Sequence, residues 1–231
     1  MQVKYIVLIL NKKGLIKTVA AVITAITIII AIICCVPFGG KKLNFSATFY
    51  YVVYDSPPDA QSVASVSSLV RSYGGAGYII EHDKKYFVTV SCYYDKADAT
   101  SVCASLVNSG LNCSVTEASS QNLQLYGNAE NYAEKYEGNL NTLLSLSKIC
   151  YNLANSIDRR EVDQSGAKTI LNDVKRGLNG LKSQNVNNCF STELDNLLCE
   201  CDDVSYGYVF SYDVRRLQIA ICDTILNVKL Y

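Results

Sequence analysis

The chain has 231 residues, 49% of them hydrophobic and 18% charged, with 21 acidic and 21 basic side chains. That balance excludes a disordered chain and leaves length for one or two domains with cores of their own. The charges are unevenly placed: residues 43–231 hold all 21 acidic but only 15 basic side chains, a formal net of −6, which excludes the phosphate-neutralising surface that nucleic-acid binding needs.

In chain order, the first predicted element is "TVAAVITAITIIIAIICCVPF", Thr18 to Phe38, which carries no charge. About 20 such residues, each rising ~1.5 Å, span a hydrocarbon core of roughly 30 Å, so the run predicts a transmembrane helix over about 18–38. It is longer than the ~7–15 apolar residues of a cleaved signal peptide and has no small-residue cleavage pattern, which favours a retained anchor. Lys12, Lys13 and Lys17 precede it and Lys41 and Lys42 follow, so the positive-inside rule puts the N-terminus in the cytoplasm and the bulk outside it. Residues 1–42 thus read as a cytoplasmic stub and single-pass anchor in the cell membrane, with the lipid bilayer as partner through 18–38.

After a short "GGKKLN" linker, "FYYVVY" (49–54) predicts a strand from its aromatic and β-branched content, and "DSPPD" a turn that Pro57 and Pro58 forbid from continuing it. A helix follows, with Asp59 as N-cap, Val63, Val66, Leu69, Val70 and Tyr73 at helical spacing, and Gly74, Gly75 and Gly77 ending it. "GYIIEH" and "KYFVTVSC" read as a hairpin. A second helix starts near Asp95, repeats Ala99, Val102, Leu106 and Val107, and stops at Gly110. "NCSVTEA" closes as a strand. Two βαβ halves, echoed in "SSLVRS" (67–72) and "ASLVNS" (104–109), predict a split ferredoxin-like βαββαβ sheet over 49–118 with both helices on one face and the other face open.

From Gln121 the periodicity becomes helical. One long amphipathic helix carries Tyr132, Tyr136, Leu140, Leu143, Leu144, Ile149, Leu153 and Ile157. "AKTILNDVKRGLNGL", "STELDNLLCECDD" and "SYDVRRLQIAICDTILNVKL" supply three more, predicting an antiparallel bundle over 121–231 with a protein partner of its own. The expected fold class is therefore α+β: a transmembrane helix, a βαββαβ domain and a helical bundle.

The sequence offers little for catalysis. His82, the sole histidine, sits beside a hairpin turn, and the pairs Asp202/Asp203 and Asp95/Asp98 occupy helix ends, where negative charge complements the dipole. No GxSxG, P-loop or paired-glycine nucleotide motif is present. Of ten cysteines, Cys34 and Cys35 fall in the apolar run; the other eight contain no CxxC, and Cys199 and Cys201 stand about 200° apart on a helix, unsuited to joint chelation. An extracytoplasmic setting permits disulfides among those eight, but many of them read as small core residues, which is the favoured account. The expectation is a protein that is not an enzyme and uses no metal or cofactor.

The aromatics carry more information. Eight of 17 tyrosines lie within residues 50–94, and rings on an exposed strand face suit stacking on sugars. "FYYVVYDS", "LVRSYGGAGYII", "KYFVTVSCYYDKADA" and "LVNSGLNCSV" together resemble the SPOR (sporulation-related repeat) domain over residues 49–118. That resemblance implies non-catalytic binding of peptidoglycan, as glycan strands stripped of stem peptides, on the open sheet face of a bacterial protein acting in cell division or sporulation. With Val52, Val88 and Val90 turned to the helices, alternation places Tyr51, Val53, Phe87, Thr89 and Ser91 outward. Ser56 keeps the residue type that the family's first strand carries at its place. These six are the candidate glycan-binding residues. The alternative is a membrane-tethered protein–protein interaction module whose sheet face packs on protein, and an open face covered by residues 121–231 favours it.

Overall fold

The structure, a computed structural model, describes residues 41–55, 59–82, 85–120, 124–125, 132–184 and 190–227. Strand β1 (Lys41–Lys42) pairs with β6 (Gln124–Leu125) as a short ribbon. Between them run β2 (Thr48–Tyr54), α1 (Val63–Ser72), β3 (Tyr78–His82), β4 (Lys85–Tyr93), α2 (Lys96–Asn108) and β5 (Cys113–Ser119). Helices α3 (Ala133–Asp158), α4 (Gln164–Gln184), α5 (Ser191–Ser205) and α6 (Ser211–Leu226) complete the chain. The result is a mixed α/β structure with six helices among the described residues and one four-stranded antiparallel sheet, ordered β3–β4–β2–β5.

The membrane-anchored architecture is corrected. None of the described helices is long and apolar enough to cross a membrane. The longest, α3, has 26 residues, enough at ~1.5 Å each to span a bilayer, but it carries Glu134, Lys135, Glu137, Lys148 and Asp158 among many polar residues. The segment 18–38, on which the anchor, the bilayer contact and the cell-membrane placement rested, lies outside the described residues.

Local chemistry explains the boundaries. Asp95 caps α2, its carboxylate accepting from the backbone N–H groups of Ala97 (2.7 Å) and Asp98 (3.3 Å). Asp59 instead closes the turn ahead of α1, accepting from the Ser62 N–H at 2.8 Å and the Ser62 hydroxyl at 2.6 Å, and the helix starts at Val63. Gly77 sits at φ +62, and a Cβ there would come within 2.7 Å of the Ser67 carbonyl oxygen, so the return from α1 to β3 requires glycine.

The sheet is covered on both faces. On one, Val52, Val88 and Val90 pack with Val70 of α1 and Ala99 of α2. On the other, Phe49, Tyr51, Val53 and Cys92 join a larger core with Leu140, Leu171, Leu217 and Ile221 of the last four helices. The end of the segment read as a linker and the residues that follow it enter that core as well, burying Leu43, Phe45 and Ala47 in alternation. Helix α3 packs along α6, α4 against α3 and α5, and α5 against α6. Gly177 allows the α3–α4 approach, since a Cβ there would lie 2.8 Å from Leu146 Cδ2.

Candidate functional site

Five of the six candidate residues, Tyr51, Val53, Phe87, Thr89 and Ser91, lie on strands β2 and β4, and much of the face that alternation gives them is occupied by protein. Tyr51 is 4% exposed, Val53 7% and Thr89 0%. Tyr51 and Val53 belong to the same core as Leu217 and Ile221 of α6. The helix is held there by specific contacts. Gln218 of α6, itself buried, donates from Nε2 to the Cys92 carbonyl at 3.0 Å. The Tyr94 hydroxyl donates to Ser147 Oγ of α3 at 2.8 Å. Arg71 of α1 reaches Asp213 at the start of α6 at 2.8 Å, with its guanidinium 4.8 Å from the centroid of the Tyr212 ring.

Ser91 is not on that face. The β2–β4 register shifts between Val52 and Val53, so Val52 opposes Ser91 while Val53 opposes Thr89, and Val90 is an extra residue in β4. Directly opposed residues share a face, which puts Ser91 with Val52 on the α1–α2 side. There it lines, with Tyr73, Tyr93 and Leu106, a cavity of about 240 Å³. The bulge therefore corrects the expected outward placement of Ser91. Ser56 lies outside the described residues. Phe87 is half-buried.

Part of the second face remains reachable. A groove of about 400 Å³ is lined by Tyr51, Val53 and Phe87 together with Thr116 of β5 and Asp223 and Asn227 at the end of α6. Its carboxylate is unusual: burial raises the Asp223 pKa, while the Tyr78 hydroxyl (3.4 Å) and the Asn227 side-chain amide (2.6 Å) stabilise the charge. Burial likewise raises the Tyr78 and Tyr51 phenols. The Tyr51 hydroxyl finds no hydrogen-bond partner among the described residues, nor do Thr89 Oγ1 and Ser91 Oγ. Among the described residues no group of three or more His, Cys, Asp or Glu side chains could hold a metal ion.

One surface escaped the sequence reading. Between α5 and α6, Tyr206 is 89% exposed, Tyr208 62% and Phe210 43%. Tyr208 and Phe210 stand 4.7 Å apart by ring centroids, and Phe210 stacks on Tyr212 at 5.1 Å and 10°. Gly207, at φ +82, turns the chain between Tyr206 and Tyr208. The signal was present as "SYGYVFSY" (205–212), aromatics at every second position around a glycine, which helical periodicity passes over.

Compared with known proteins, the chain matches no family model, no curated protein and no solved structure.

Proposed function

We propose that the chain is a non-catalytic protein-interaction module, in which the sheet face that a glycan-binding protein would expose instead seats the chain's own helices. The observation that carries this reading is the burial of Tyr51, Val53 and Thr89 on the α6 side of the sheet. A sugar ring stacks on the flat face of an accessible aromatic, and the Tyr51 ring packs against Phe49 at 6.4 Å inside the core. The exposed rings of Tyr206, Tyr208 and Phe210 are the outward counterpart. Contiguous exposed aromatics mark contact surfaces, and tyrosine is enriched at protein interfaces and their energetic centres.

A second reading has its own support. The groove beside α6 gathers Tyr51, Val53 and Phe87, and the resemblance of residues 49–118 to the SPOR domain makes a denuded peptidoglycan strand, in cell division or sporulation, the ligand that this reading assigns to it. Sedimentation of the full chain with amidase-treated peptidoglycan separates the two, alongside a photo-crosslinking residue placed at position 208 in cells. The protein-interaction reading expects no retention on glycan and discrete protein adducts at 208. Retention that Phe87→Ala abolishes establishes the glycan reading, and absence of adducts at 208 sinks the first.

A further inference from the structure

Cys103 and Cys113 stand Sγ to Sγ at 3.3 Å, and the Cys103 thiol also lies 3.2 Å from the Cys113 carbonyl oxygen. The fold brings them together by a tight return. Helix α2 ends at Asn108, Gly110 adopts φ +94, the Leu111 N–H bonds back to the Leu106 carbonyl at 3.0 Å, and β5 opens on Cys113. Only a short contraction separates the two sulfurs from the ~2.05 Å of a disulfide. We propose that Cys103 and Cys113 form a redox-responsive disulfide that fastens α2 to β5, an edge strand of the sheet.

The remaining described cysteines set this pair apart. Cys92, Cys150, Cys201 and Cys222 are sealed in the large core, where a reagent cannot reach them, although Cys92 and Cys222 neighbour one another. Cys199 is exposed on α5. Cys103 is only partly buried and lies next to an edge strand, so this pair combines contact with access.

The two members of the pair divide the work. Burial, reinforced by the neighbouring Cys103 thiol, pushes Cys113 up to about 12, so Cys103, the more accessible sulfur, makes the first attack. With glutathione disulfide as oxidant, the Cys103 thiolate attacks one sulfur, the glutathione S–S bond breaks and one glutathione thiolate leaves. Cys113 then attacks the Cys103 sulfur of the mixed disulfide and expels the second glutathione. Two protein thiols are oxidised, one glutathione disulfide is reduced to two glutathione molecules, and the two thiol protons pass to them.

Tryptic peptide 97–135 contains both cysteines and no other, which makes the test direct. The folded full chain is reduced, equilibrated with excess glutathione disulfide, alkylated and digested. The expected result is a peptide lighter by two hydrogens with neither cysteine alkylated, and a thermal midpoint several degrees above that of the reduced chain. Cys103→Ser removes both effects and Cys199→Ser removes neither. Complete alkylation of both cysteines, a mixed glutathione adduct that does not resolve, or oxidation mapping to other cysteines overturns the proposal. The wild-type mapping decides the matter even where Cys103→Ser folds poorly.

Discussion

Tyr51→Phe tests directly whether the second sheet face belongs to the protein's interior. The change deletes one oxygen from a ring that stays in the core, and that oxygen is buried without a hydrogen-bond partner. Leaving a buried hydroxyl unpaired costs about 1–3 kcal/mol, while the void left by a single heavy atom costs on the order of 1 kcal/mol. The net expectation is a stabilisation of about 1 kcal/mol, or an unfolding midpoint raised by roughly 2–4 °C in a chain of this size. The chain has no tryptophan, so urea unfolding followed by far-ultraviolet circular dichroism is the suitable assay, with Tyr51→Ala as reference at a cost of about 3–5 kcal/mol. A loss of about 1 kcal/mol or more in Tyr51→Phe would mean that the hydroxyl is paired, and the account of this face as a dry packing surface fails. A Tyr51→Ala variant as stable as the parent would place the ring in solvent and return it to the glycan reading.

Gln218→Leu should cost about 1–3 kcal/mol, because the Cys92 carbonyl it serves is left buried without its donor; an unchanged midpoint in urea would show that α6 does not depend on this bond. Gly77→Ala should cost at least about 1–3 kcal/mol, since a Cβ meets the Ser67 carbonyl oxygen at 2.7 Å on a backbone at φ +62, and thermal unfolding reads it. Alkaline stability has a fixed sign. Burial raises the folded-state pKa of the thiols Cys92, Cys150 and Cys201 and of the phenols Tyr51, Tyr78 and Tyr94. Their contribution is fully present below the ordinary thiol value near 8.5, starts to fall as the unfolded thiols ionise, falls faster once unfolded phenols ionise near 10, and is lost as the pH rises through the folded values. Urea midpoints measured between pH 8 and 10.5 check this, and a flat profile refutes it.

How far the sequence reaches depends on which partner each residue meets. Elements set by local chemistry were legible: Asp95 at a helix start, Gly110 after its end, and aromatic and β-branched runs on β2 and β4 all act within a few residues of themselves. The stripe on α3 was legible in part. Tyr136, Leu140, Leu143 and Leu153 are buried, but Ile149 faces out while Leu146 and Cys150 face in, because α4, α6 and the sheet, not hydrophobicity alone, choose the buried arc. Three features depend on distant residues and left no local mark. The bulge at Val90 turned Ser91 to the other face, Leu43 and Phe45 entered a core shared with helices that begin only at Ala133, and Gly177 proved to be a contact point against Leu146. The apolar run 18–38 predicted an anchor from composition alone, and no described helix has that character.

The coverage of the second face did leave a trace, in the failure of alternation itself. A sheet with one solvated face alternates apolar and polar residues, whereas strands covered on both faces read as continuous runs. "FYYVVY" contains no charged or small polar residue, and β4 buries six residues in succession, Val88 to Tyr93. Thr89, on that face, is uncharged and small, which is what a tightly packed face tolerates. The tyrosines fit the same account: Tyr94 and Tyr78 pass their hydroxyls to Ser147 and Asp223 on the covering helices. Those phenols thus serve as polar contacts across an internal interface, and a ligand is not needed to explain them. What remains for recognition is what the helices leave uncovered, the groove at the end of α6 and the stacked rings of residues 206–212.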